Sequence, residues 1–143
     1  MKLKLLALIL CLIPSFLLAK QQSLVGCFSS GNINVKYVEI SHDNALLGYV
    51  AYGRSSKFIP LAFMKKSEMT FDDRPSEFTV TWSEVIDGKI NGLYVVATQG
   101  ARFNTFYYKS QSGGKTIFEE NIGAYTNDGN EGKWGYRGKD ACL

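Results

Sequence analysis

The sequence predicts an all-β protein: a small antiparallel meander of about eight strands closed into a barrel, with a two-sheet sandwich as the alternative. Three observations carry this. Short runs rich in β-branched and aromatic residues alternate with turn residues at close spacing. Inside the runs apolar and polar positions alternate, and no long helical periodicity appears. A meander also leaves exposed strand edges unless it closes on itself.

In chain order, the first segment is "MKLKLLALILCLIPSFLLAK". Lys2 and Lys4 precede an apolar run, Pro14-Ser15 breaks it, and Ala19 offers a small-residue cleavage site, so residues 1–19 read as a signal peptide. The apolar stretch is too short for a membrane anchor, and Cys11 sits within it after Leu10, not after the small residue a lipidated cysteine needs. Residues 20–143 form a single domain. Export implies a periplasmic or extracellular location, where Cys27 and Cys142, the two cysteines left, pair as a disulfide. That pairing fastens the last segment to the first.

The strand candidates follow at residues 33–41, 45–52, 57–64, 67–71, 77–86, 89–99, 101–110 and 115–124. Asp87-Gly88 marks a two-residue hairpin turn, which needs positive φ at both central positions. Pro60 cannot donate to a ladder, so its strand is an edge or carries a bulge there. Phe78, Val80 and Trp82 share one face, as do Leu93, Val95 and Ala97. The inward set is expected to include Phe78, Trp82, Leu93, Val95, Phe103 and Tyr107, with Phe106 and Tyr108 on the opposite face. Alternation separates the two faces of that strand without naming the inner one. Several runs are too short for an outer-membrane barrel, and Lys36, Glu39 and Glu84 interrupt any lipid-facing band, so no stable membrane insertion is expected after signal cleavage. The tail from residue 126 reads as an irregular loop carrying Trp134 and Tyr136, ending in a short extended piece at Cys142.

Charge and chemistry narrow the function classes. The chain carries a formal +3, but Lys2 and Lys4 lie in the leader, and losing them leaves about +1 with no dense basic stripe. Nucleic acid is therefore not an expected partner. His42, the single histidine, lies in the turn "SHDN", and no G-x-S-x-G elbow is present. Asp72-Asp73, Glu84 with Asp87, Glu119-Glu120, and Asp128 with Glu131 read as solvated surface, not facing acids. Two cysteines and one histidine make no zinc site, and "NDGNEG" lacks the alternating ligands of a calcium loop. No phosphate-cradling loop follows a strand. The sequence thus predicts no catalytic residue, no metal and no cofactor.

Residues 95–110, "VVATQGARFNTFYYKS", resemble the segment around the Ser-Gly-x-x-Tyr signature of bacterial periplasmic inhibitors of C-type lysozyme. Gly100, Ala101 and Arg102 match the family's Gly-Ala-Arg run, while Gln99 stands where the family has serine and Phe103 where it has tyrosine. The resemblance implies a small exported barrel with a disulfide that inserts a loop into its partner's cleft. Independently of the resemblance, a barrel of eight short strands has room inside only for side chains, which moves function to loops and outer surface. The expected function is non-enzymatic: an exported barrel binding a protein, as an inhibitor or immunity factor. Its expected contact residues are Gln99, Gly100, Arg102, Phe106 and Tyr108. Arginine and exposed aromatics are what interfaces favour as anchors. Two rivals remain: a small-ligand barrel resembling lipocalins, which needs an open cup, and a hydrolase, which needs an acid or His42 in a pocket.

Overall fold

Asp87 and Gly88 both adopt left-handed backbone, at φ 50° and 73°. This is the two-residue turn whose twist matches that of paired strands. Asp43 (φ 51°) and Gly100 (φ 60°) begin two further tight turns. The computed structural model describes residues 22–53, 55, 57–100, 102–122, 125–127, 134–136 and 142; the expected leader lies outside them. Seven long strands come first: β1 (Gln22–Ser30), β2 (Ile33–His42), β3 (Ala45–Tyr52), β4 (Ile59–Met69), β5 (Glu77–Ile86), β6 (Lys89–Gln99) and β7 (Arg102–Ser110). Four short ones follow: β8 (Lys115–Ile117), β9 (Glu119–Glu120), β10 (Tyr125–Asn127) and β11 (Trp134–Tyr136).

The first nine strands form one antiparallel meander, ordered β8-β7-β6-β5-β4-β3-β2-β1-β9. Closure depends on residues 115–121. β8 pairs with β7, the Phe118 amide donates to the Phe106 carbonyl at 2.9 Å, β9 pairs with β1, and the Asn121 amide donates to the Cys27 carbonyl at 2.8 Å. One short segment therefore joins the two ends of the sheet, and the barrel is nearly closed. A continuous sheet of this kind excludes the sandwich.

Side chains fill the interior. Trp82, Tyr37, Tyr94, Phe28, Phe106, Val35, Val50 and Val96 are all fully buried. At mid-barrel the Trp82 indole N–H donates to the Tyr37 hydroxyl (3.0 Å), which donates to Glu39 (2.6 Å). Gly48 faces the same indole so closely that a Cβ there would lie 2.9 Å from one of its ring carbons. Outside the barrel wall, Cys27 is bonded to Cys142, with Cα atoms 4.9 Å apart.

Several expectations need correction. β1 was absent from the expected strands; Leu24, Gly26 and Phe28 alternate too unevenly in size to announce it. The runs at 57–64 and 67–71 are one strand, β4, with a bulge between Phe63 and Lys65. Pro60 faces Tyr49 in the middle of the three-residue pairing of β4 with β3, one residue before pairing with β5 begins at Leu61, and the bulge lies at Met64, not at the proline. The run at 115–124 is split into β8 and β9 by Phe118, which turns into the core. In the tail, where an irregular loop was expected, β10 pairs antiparallel with β11; the rest of the tail, the expected extended piece before Cys142 included, lies outside the described residues.

The inward set also changes. Val80 and Trp82 are buried and Phe78 half-buried, but in β6 the inner residues are Tyr94 and Val96, not Leu93 and Val95. In β7 the inner residues are Phe103, Phe106 and Tyr108, while Tyr107 lies outside under Lys115. For β7 the reason is a bulge. Thr98 faces Phe103 and Ala97 faces Thr105, leaving Asn104 unopposed. An extra residue puts Phe103 and Phe106 on the same side despite their odd spacing.

Candidate functional site

The structure divides the five expected contact residues between two regions. Gln99 and Arg102 pair across the β6–β7 turn opened by Gly100. Here local structure follows directly from the bulge. Asn104, pushed out of register, donates to Glu77 (2.8 Å) and to the Gln99 side-chain oxygen (3.3 Å). The Gln99 amide in turn donates to the Pro75 carbonyl (2.9 Å) in the β4–β5 connection. The turn is thus braced against its neighbour by side-chain amides. Arg102 is exposed and forms no ion pair among the described residues. Asn104 and Glu77 were not anticipated, and alternation carried no signal for either.

Phe106 and Tyr108 do not join this surface. Phe106 is 1% exposed and packs on Phe28 (ring centroids 4.3 Å) and Phe118 (5.3 Å). Tyr108 points inward, toward the barrel end formed by the β5–β6 and β7–β8 connections. Its hydroxyl donates to Glu84 at 2.9 Å. Neither ring is available as an outward anchor.

At that end lies a polar cluster. Glu84, read from sequence as solvated surface, is 3% exposed. Its carboxylate accepts from the Asn91 amide (2.6 Å), the Tyr108 hydroxyl (2.9 Å) and the Tyr94 hydroxyl (3.0 Å). Tyr52 bonds to the Tyr94 hydroxyl behind it. Every donor is neutral, yet each is well placed, which is how a buried carboxylate is tolerated without a cation. Burial pushes the Tyr108 hydroxyl up to about 12, with the hydrogen bond to Glu84 adding to it. Burial likewise raises Tyr94 and Tyr52. These hydroxyls therefore hold their protons and act as donors; they are poorly suited to act as bases or nucleophiles.

A third feature sits where the barrel is incompletely zipped. Between the first half of β7 and β9 a cleft of 470 Å³ is lined by Phe28, Phe103, Phe106, Ile117 and Phe118, with Lys115, Glu119 and Glu120 also on its wall. His42 is not near it: it is exposed at the β2–β3 turn, 3.6 Å from Asp43. Among the described residues no three histidine, cysteine or acidic side chains cluster as a metal site would need. No family model matches the chain, and comparisons with known proteins and with solved structures find no significant match.

Proposed function

We propose that this chain is an exported, non-catalytic barrel that binds a protein partner through the turn at Gln99, Gly100 and Arg102. The observation that carries the reading is the filled interior: among the described residues Trp82, Tyr37, Tyr94, Phe28 and Phe106 are all buried within it. Recognition then moves to the rim and outer surface. On the rim, the Gly100 turn is held by bonds to Pro75 and Glu77 and presents an exposed arginine. A braced turn loses little entropy on docking, and a guanidinium suits a carboxylate in a partner's cleft.

The resemblance of residues 95–110 supplies the first partner to try. Processed protein is titrated calorimetrically with a C-type lysozyme, and cell-wall hydrolysis is followed in parallel. The expected result is binding with inhibition, weakened at least about tenfold by Arg102→Ala with an unchanged melting temperature. Absence of both heat and inhibition overturns the inhibitor reading, and unaltered affinity in the variant moves the site away from this turn.

The cleft beside β7 favours a second reading, a site for a small apolar ligand, because four phenylalanines line it. Saturable binding of a fluorescent apolar dye, abolished by Phe103→Asp in a protein that still folds, is its expected signature. Unsaturable or unaltered dye binding removes it.

A further inference from the structure

We propose that the free edge of β4 pairs antiparallel with the same edge of a second copy of this chain, with the two-fold axis passing between the two Ser67 residues. β4 pairs with β3 only at residues 59–61, whereas it pairs with β5 out to Met69. In this register the first residue of β3, Ala45, would face Met64, where the bulge lies, so β4 outruns β3 from Lys65 onward. Residues 62–70 are consequently all exposed. Their other edge has no strand partner among the described residues. They include Phe63, Met64 and Met69, each about half exposed or more. An unpaired apolar edge of this length is a template for another strand.

The charge pattern selects the occupant and the register. A two-fold axis normal to the sheet must relate identical residues across the new pair. With Ser67 on the axis, Lys66 of each copy lies opposite Glu68 of the other, twice over. Moving the axis to Lys66 or to Glu68 sets like charges directly against each other, which is unfavourable. Lysines on an edge ordinarily guard it against pairing. Here Glu68 neutralises the guard only for a copy in this one register, so the edge rejects most strands and accepts its own.

Sedimentation equilibrium of the processed chain over a range of concentrations tests this. The expected result is a monomer–dimer equilibrium. Lys66→Glu weakens it at least about tenfold, and adding Glu68→Lys to that variant restores it, with melting curves confirming that each protein folds. Under mild oxidation Ser67→Cys gives a covalent dimer and Lys65→Cys does not, because only residues on the axis approach within disulfide range. A monomer at every concentration overturns the proposal. So does a folded Lys66→Glu variant that dimerises as tightly as wild type, or equal cross-linking by the two cysteine variants.

Discussion

Trp82 and Gly48 compete for one volume. The indole is fully buried, donates to Tyr37, and packs edge-on to Phe63 with ring centroids 5.9 Å apart. Deleting so large a side chain from a packed interior costs about 3–5 kcal/mol, the loss expected for Trp82→Ala. The more discriminating test is across the barrel. Replacing a strand glycine with alanine ordinarily gains about 0.5–1 kcal/mol. A Cβ on Gly48 would instead meet three indole carbons at 2.9–3.0 Å, so Gly48→Ala should destabilise by about 1–3 kcal/mol. Trp82→Phe in the same chain opens the space, and denaturant titrations of both single variants and the pair should show costs well below additive. Additive costs would mean that contact with the indole is not what excludes a side chain at Gly48.

At the scale of strands, most of the fold was legible because the turns were. Residues 45–52, 77–86 and 89–99 bound β3, β5 and β6 as expected, since Asp-Gly and Gly mark turns by backbone sterics alone. What could not be read was facing. Alternation is reliable only while the ladder is regular, and the extra residue at Asn104 inverts the parity between Phe103 and Phe106. That one residue accounts for the misassignment of Phe106 and Tyr108, and so for two of the five expected contact residues. Glu84 escaped for a related reason: a carboxylate two residues from a tight turn looks solvated, and its donors, Asn91, Tyr94 and Tyr108, come from β6 and β7. Tyrosines on β2, β3, β6 and β7 share a consequence at high pH. Tyr37, Tyr52, Tyr94 and Tyr108 all keep their protons above the ordinary value of 10.0, chiefly through burial. Above that pH the unfolded chain binds fewer protons than the native one, so this stabilisation is complete below pH 10 and lost as pH rises through the folded values. Burial carries the Tyr108 hydroxyl up to about 12. In an alkaline titration these four tyrosines should ionise only as the sheet signal disappears. A single class of tyrosines titrating near 10 with the sheet intact would contradict the buried hydroxyl cluster.

For the whole molecule, the question is what the Cys27–Cys142 bond contributes once the barrel is already zipped by β8 and β9. In the unfolded chain it closes a loop across 115 positions, which alone would suggest about 4–5 kcal/mol by chain entropy. In the native state, however, Asn121 is already hydrogen-bonded to the Cys27 carbonyl. The bond there closes only the stretch from residue 121 to Cys142. The net stabilisation is the difference between the two closures, roughly 1.5 kcal/mol from the logarithm of the loop lengths. Urea unfolding with and without reductant should therefore show a modest loss of about that size, with strand content unchanged in the reduced protein before the transition. A loss near 4–5 kcal/mol would mean that the residues after Asn121 keep their native place without the bond, held there by packing of their own. Collapse of the sheet on reduction would mean instead that β9 cannot stay paired with β1 unless Cys142 holds the seam, and that the disulfide closes the barrel itself.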